Sequence, residues 1–188
     1  MVGSREPGKR QAAPDGLVLV QQFVNSVNRE FGPDRFDSCE SMDHWLGRHG
    51  VVAEPVDERT RCDAVELREA IRCLLRHNAG HPLDPAAGVT LRRIGAEHPL
   101  VVHCGEEGGV RLVPLGDGRG SVLGRVLATM AGAVADGSWA RLKSCQEDVC
   151  GWAFYDRSPG GTGRWCSMAV CGSRAKMRAY RGRIPAAG

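Results

Sequence analysis

Apolar positions in the first part of the chain recur with the spacing of amphipathic helices. One stripe of leucine and valine runs through residues 17–29, and a second apolar face covers residues 38–47. The clearest pattern covers residues 61–77, where apolar side chains recur every three or four positions before a turn sequence at residues 78–80. The pattern therefore predicts three helices before the period changes.

After residue 88 the apolar positions favour strands. Three short, β-branched segments over residues 89–94, 100–104 and 110–115 predict a small antiparallel meander. The glycine-rich sequence at residues 105–109 predicts a hairpin loop between the last two segments. Pro114 is expected on an edge or at a strand end, because it has no N–H to donate.

These elements predict an α+β domain over residues 15–137, with helices on one face of a three-stranded sheet. Ser121 is expected to cap the last helix of this domain. Residues 1–14 contain basic residues without a following apolar block, which we interpret as a flexible tail on a cytoplasmic protein. No segment approaches the roughly 20 apolar residues of a membrane span, so we expect no membrane partner.

Charge and cysteine content set the end of the chain apart. Residues 1–137 contain 16 Lys+Arg and 19 Asp+Glu, whereas residues 138–188 contain 9 and 3. Four of the 8 cysteines fall in this basic end and the other four lie singly elsewhere. We therefore predict a separate, basic C-terminal module over residues 138–188.

The four clustered cysteines form two pairs with four residues inside each pair, and we predict that they bind one structural zinc ion. Four thiolates satisfy tetrahedral zinc and leave no position for substrate. Two disulfides, four buried free cysteines or bound iron are the alternatives. A knuckle, a hairpin and a helix from Ser167 to about Arg181 would give a treble-clef arrangement. The predicted ligands are Cys145, Cys150, Cys166 and Cys171.

The residues around these cysteines resemble the CGNR-type zinc finger. The resemblance is carried by residues 145–156 (CQEDVCGWAFYD) and 164–176 (RWCSMAVCGSRAK). In that family the finger follows an ABATE domain, which residues 23–25 and 67–69 match more weakly, and the proteins are regarded as stress-induced transcription regulators. Two positions depart from the family: Ser173 replaces the asparagine that gives the finger its name, and Gly163 stands where a second arginine is common.

The predicted finger helix presents arginines on one face, since Arg174, Arg178 and Arg181 are four and three residues apart. Such a face on a basic module suits duplex DNA. We expect Met177 and Tyr180 to pack inward against Trp165. Arg174 is expected to read a base edge and other cations to contact phosphates. The predicted DNA-binding residues are Arg157, Arg164, Arg174, Lys176, Arg178 and Arg181.

The leading hypothesis is a DNA-binding transcription regulator that uses double-stranded DNA as its partner. A single finger offers few contacts, so we expect useful affinity to need a homodimer or a second DNA-bound partner. The alternative is a protein-interaction adaptor whose basic finger binds an acidic surface. The resemblance implies an effector-binding role for the first domain, and Asn25, Trp45 and Arg68 are candidate contacts to an unknown small molecule. We expect no enzymatic activity: the glycine-rich turn at residues 116–124 has a misplaced third glycine for a dinucleotide loop, and no histidine pair or serine motif supports catalysis.

Overall fold

Within the described part of the chain, four helices precede the first strand. The computed structural model describes residues 12–14, 16–30, 32–50, 55–116 and 121–183, except for the side chain of residue 121. The helices are α1 (Leu17–Val24), α2 (Cys39–Arg48), α3 (Glu58–Asn78) and α4 (Pro85–Glu97). Each of the last three begins after a capping residue whose side-chain oxygen accepts a hydrogen bond from a backbone N–H of the first turn. The capping residues are Ser38, Asp57 and Asp84.

Helix α1 is shorter than the apolar stripe predicts. It ends at Val24, and Val27 forms an isolated antiparallel bridge with Asp34 instead of a further helical turn. Asn25 follows the helix and directs its side-chain amide to the main chain of Ala153. A long-range contact therefore replaces the last turn that the sequence pattern favoured.

The prediction of a strand over residues 89–94 was wrong, because this segment lies within α4. Asp84 caps the helix and Pro85 occupies its first turn, a combination that starts helices. Ala87 and Ile94 then provide a buried helical face. These start signals outweigh the β-branched composition of the segment.

The two remaining predicted strands form a hairpin. Strand β1 (Leu100–Cys104) pairs antiparallel with β2 (Val110–Pro114), and Val102 lies opposite Leu112. The predicted loop is confirmed, since Gly105 N donates to Gly109 O at 2.8 Å. Pro114 is the last residue of β2, as its missing N–H requires. Strand β2 packs on α5 (Ser121–Ala135).

The core is helical, with the hairpin at its periphery. Buried side chains from α1, α2, α3 and α5 meet around Phe23, Phe36, Leu67 and Ile71. The predicted arrangement of helices on one face of a three-stranded sheet is therefore wrong, although the α+β class and the small antiparallel sheet are confirmed. The helix-capping role predicted for the Ser121 side chain, most of the predicted tail at 1–14 and residues 117–120 of the glycine-rich turn lie outside the described residues.

The C-terminal part begins with a 3-10 turn at Ser138–Arg141. Strands β3 (Leu142–Ser144) and β4 (Ala153–Tyr155) form a second antiparallel hairpin, and a wide π turn at Met168–Gly172 leads directly into α6 (Ser173–Arg181). The predicted helix from Ser167 is thus confirmed, with a first turn wider than an α-helix. None of the helices in the described ranges has the length and apolarity that crossing a membrane requires.

Candidate metal centre and basic surface

The four clustered cysteines converge on one point. All four sulfur atoms lie within 4.8 Å of one another and all four residues are buried. The sulfur of Cys166 lies 3.6 Å from those of Cys150 and Cys171. A zinc ion about 2.3 Å from four tetrahedral sulfurs requires sulfur–sulfur separations of about 3.8 Å. The site therefore suits one structural zinc ion, as predicted.

The hairpin and the π turn position these thiols. Cys145 follows β3, and its N–H donates to Trp152 O at 2.9 Å, which extends the β3–β4 pairing by one step. Cys150 closes the intervening turn by donating its N–H to Glu147 O at 2.9 Å. Cys171 lies in the π turn immediately before α6. Each cysteine pair is thus held by its own short element.

The thiols compete for protons when no cation binds them. Hydrogen bonds from the thiols of Cys150 and then Cys166 lower the pKa of Cys145. Hydrogen bonds with Cys145 and then Cys150 raise the pKa of Cys166, because its proton is held by neighbouring sulfur atoms. A divalent cation removes this competition, since it binds all four sulfurs in the thiolate form.

Ser173, the first departure from the finger family, completes the π turn. Its hydroxyl donates to Met168 O at 3.2 Å. At the start of the same turn, the hydroxyl of Ser167 accepts from Val170 N at 3.3 Å. Two serine hydroxyls therefore close the turn that carries Cys171.

Gly163, the second departure, lies against a buried carboxylate. Its N–H donates to Asp156 Oδ2 at 2.6 Å. A Cβ atom at this position would lie 2.6–2.8 Å from the carboxyl group of Asp156, closer than Cβ atoms approach other atoms. A residue with a side chain cannot occupy position 163 without moving this loop.

Asp156 is paired with Lys143, and both side chains are buried. Lys143 Nζ lies 2.9 Å from Asp156 Oδ2 and also donates to Gly161 O. Burial opposes ionisation of Asp156, but the hydrogen bonds from Lys143, Ser158 and Gly163 outweigh it and hold the pKa of the carboxyl well below its usual range. The pair fixes the loop between β4 and Cys166.

Two of the predicted DNA-binding arginines are paired with carboxylates of the protein. Arg174 Nη1 lies 2.5 Å from Glu30 Oε1, in the turn after α1. Arg178 Nη2 lies 2.7 Å from Glu147 Oε2, within the first knuckle. Both guanidinium groups are therefore engaged by acidic residues of the protein itself, although the side chain of Arg178 is 58% exposed.

The other four predicted DNA-binding residues are exposed and have no acidic partner among the described residues. Arg157 stacks over the ring of Tyr155 and donates to Ala12 O. Arg157 and Arg164 line one open cavity of about 500 Å³, together with Trp165 and Met168. A Cβ atom added at Gly172 would lie 2.9–3.2 Å from Met168 and Trp165, so these two cavity residues lie close to the start of α6. The exposed set is Arg157, Arg164, Lys176 and Arg181.

The predicted inward packing of Met177 and Tyr180 was wrong. Their exposed fractions are 50% and 57%. Helix α6 has no buried residue, and Met177 and Tyr180 contribute to its exposed surface instead of the core. The exposed surface of helix α6 thus mixes cations with apolar side chains.

The three candidate effector contacts have internal partners. Asn25 donates to Ala153 O at 2.9 Å and accepts from Ala153 N at 2.8 Å. Trp45 is buried and its ring stacks on that of His49 at 3.9 Å. Arg68 forms a two-pronged pair with Asp34 at 2.5 and 2.7 Å. These contacts have structural roles, and binding of a small molecule by the three residues stays a prediction.

Several functional contacts were missed by reading the sequence. Glu147, Asp148 and Asp156 are the three acidic residues of the basic module, and all three form ion pairs: with Arg178, with Arg76 and with Lys143. Because acidic residues are rare in this basic segment, their presence was a signal that each forms an ion pair with a cation. Glu30 and Arg72 carried no such signal, because their partners in the finger lie 144 and 79 positions away.

An α+β region followed by a buried four-cysteine site defines a zinc-finger protein. A family model for the CGNR zinc finger matches residues 141–184. The model of the ABATE domain, whose description reads "Putative stress-induced transcription regulator", matches residues 17–137, and the chain belongs to this family. No curated protein is detectably similar to the chain.

Proposed function

We propose that this protein is a cytoplasmic transcription regulator that binds duplex DNA through the exposed cations of its zinc finger. The observation that carries the proposal is the set of exposed cations on a finger that has used its three acidic residues internally. Those cations are free to replace counterions on phosphates, which is the main source of sequence-independent affinity for DNA. The family description supports the same role. The proposal is for a binding protein without catalytic activity.

In this proposal Arg157, Arg164, Lys176 and Arg181 meet the phosphates, because none of them is held by a carboxylate of the described residues. Arg174 and Arg178 contribute to the position of α6 through Glu30 and Glu147. Contact of Arg174 with a base edge stays a prediction, and it requires release of Arg174 from Glu30.

The test is a salt titration of binding to random duplexes. Lys176→Ala or Arg181→Ala should weaken binding on every duplex, and each should reduce the salt slope by about one unit. Arg92→Ala is the matched control, since it removes an exposed arginine from α4. Equal losses in Arg92→Ala would indicate a general charge effect and contradict the proposal.

Arg174→Ala distinguishes a structural role of Arg174, through its pair with Glu30, from contact with a base edge. If Arg174 acts only within the protein, this variant keeps the wild-type salt slope on all duplexes. A variant that loses sequence preference but keeps its non-specific affinity would indicate base reading instead. Genomic fragments enriched by the purified protein supply the specific duplex for this comparison.

A protein-interaction adaptor is the second candidate function. Met168, Met177 and Tyr180 are all at least half-exposed around the finger, and such apolar side chains are typical of protein interfaces. An adaptor would bind an acidic protein partner, and the wild-type protein would then show no measurable affinity for duplex DNA at physiological salt. Finger variants that bind duplexes as tightly as the wild type would show that these cations are not the nucleic-acid surface, which also favours the adaptor for the finger.

We further propose that the N-terminal region senses a small molecule and transmits its binding through the contact of Asn25 with β4. Ligand binding stabilises a folded protein by mass action, so an effector should raise the melting temperature. Trp45→Phe keeps an aromatic ring in the cluster with Phe23 and Phe36. An effector that contacts Trp45 should shift the melting temperature of this variant less than that of the wild type, and an unchanged shift would exclude Trp45 from the site.

A further inference from the structure

The β1–β2 hairpin has one free edge. Strand β2 packs on α5, whereas β1 pairs only with β2 in the part of the chain that the structure describes. Most of both strands is exposed, and Val102 and Val110 reach exposed fractions of 72% and 69%. A two-stranded hairpin is marginally stable alone and gains stability from further strands.

The hydrogen-bond register fixes which backbone groups face the free edge. Gly105 N donates to Gly109 O at 2.8 Å, and Leu115 N donates to Pro99 O at 2.9 Å. Hydrogen-bonded pairs alternate along an antiparallel ladder, so the odd-numbered residues of β1 bond to β2. The N–H and C=O groups of Leu100, Val102 and Cys104 therefore point away from β2.

This edge lacks the features that normally prevent strand pairing. Strand β1 has the sequence LVVHC, with no lysine, other charged residue or proline. Edge strands usually carry such residues because unpaired backbone groups invite another strand. An uncharged strand can lie opposite its own copy without bringing like charges together.

We propose that β1 pairs antiparallel with β1 of a second copy of this chain, about a two-fold axis at Val102. Val102 then exchanges both backbone hydrogen bonds with Val102 of the second copy, and Leu100 lies opposite Cys104. The result is a four-stranded sheet in the order β2-β1-β1-β2. Each copy contributes the same surface, which is the condition for a closed dimer.

The two-fold axis also keeps the apolar faces together. Leu100, Val102 and Cys104 share one face of the hairpin with Val110 and Leu112, which lie opposite them in the register. A two-fold axis perpendicular to the sheet places this face of both copies on the same side. The dimer places two zinc fingers in one assembly, although the pairing itself does not depend on DNA binding.

Among the possible antiparallel pairings of β1 with β1 of a second copy, only the proposed one places residue 102 opposite itself, and the test uses this property. Wild-type protein should sediment as a dimer. Val102→Lys or Val102→Asp should each raise the dimer dissociation constant by about tenfold or more, because like charges then face each other. An equimolar mixture of the two variants should restore a heterodimer, which native mass spectrometry detects by mass. Circular dichroism and melting temperature report whether each variant is folded.

Val110→Lys is the matched control, since Val110 has almost the same exposure on the same face but lies on β2. This variant should remain dimeric. Equal dissociation in Val110→Lys would indicate packing of hairpin faces and overturn edge pairing. A monomeric wild type, a Val102→Lys variant that stays dimeric, or a mixture that forms no heterodimer would also overturn it.

Discussion

Lys143 Nζ lies 2.9 Å from Asp156 Oδ2, and the two side chains are only 6% and 1% exposed. Asp156 also accepts hydrogen bonds from Ser158 N and Gly163 N. The loop that this pair holds begins with Arg157 and ends with Arg164, which line one cavity. A buried ion pair thus determines where two exposed cations of the finger lie.

Asp156→Asn should destabilise the protein strongly. The substitution leaves the ammonium of Lys143 buried without a counter-charge, and breaking a buried pair in this way costs about 3–5 kcal/mol. Chemical denaturation of zinc-bound protein measures the change in the free energy of unfolding. Glu66→Gln, which removes an exposed partner of Arg93, is the control and should have a much smaller effect. Equal effects of the two variants would contradict the importance of the buried pair.

The same pair predicts a pH dependence. The pKa of Asp156 is lower in the folded protein than the value of about 3.9 in an unfolded chain. The unfolded state therefore binds the proton more readily, and the contribution of the pair is complete above about pH 4 and is lost as the pH falls further. The difference in unfolding free energy between wild type and Asp156→Asn should shrink in that acidic range. Metal release in acid affects both proteins, so a difference that stays constant would contradict the assignment.

Gly163→Ala should destabilise the finger, although alanine is normally favourable outside turns that need glycine. The added Cβ would lie 2.6–2.8 Å from the Asp156 carboxyl group, and overpacking of this kind costs about 1–3 kcal/mol. Gly160→Ala is the control, because its Cβ would lie 3.5 Å from Thr162 Cγ2. Thermal unfolding checks the prediction, since Gly163→Ala should lower the melting temperature more than Gly160→Ala does. An unchanged melting temperature in Gly163→Ala would show that the loop moves to accept the added atom.

Elemental analysis should find about one zinc per chain in protein purified without added metal. Cys171→Ser should lose most of this zinc, because structural zinc sites contribute about 10–16 kcal/mol and depend on all their ligands. Amide hydrogen exchange should then increase after residue 144, while α3 stays protected by its own buried leucines. Cys104→Ser removes an exposed cysteine and should keep the metal. If Cys171→Ser retained its zinc, Cys171 would not be one of the zinc ligands.

The metal site was predictable because its information is local. Two cysteine pairs with equal spacing within 27 residues indicate one tetrahedral ion, whatever the rest of the chain does. The finger helix and the β1–β2 hairpin were predictable for the same reason, since a glycine-rich loop and an apolar pattern determine them over a few residues. The strand prediction for residues 89–94 was wrong because the three β-branched residues favour a strand locally, whereas Asp84 and Pro85, which start the helix, lie before the segment.

The directions of the arginines could not be predicted from the sequence. Helical spacing correctly places Arg174 and Arg178 on one face, but it does not say whether that face meets solvent or the protein. Glu30 lies 144 positions before Arg174, and only the packing of α6 near the end of α1 brings them together. The same limit applies to Asn25, whose partner Ala153 is 128 positions away.

The contact of Asn25 with Ala153 is one of several that join the finger to the N-terminal helices. Leu142 and Ala153 belong to the same core cluster as Phe23 and Leu67, and the buried guanidinium of Arg72 donates to Gly151 O. A gene segment that encodes the last 51 residues alone would leave these groups without their partners. This finger is therefore not an independent unit that can be exchanged between proteins. Fusing it to another protein would also require the residues of α1 and α3 that contact it.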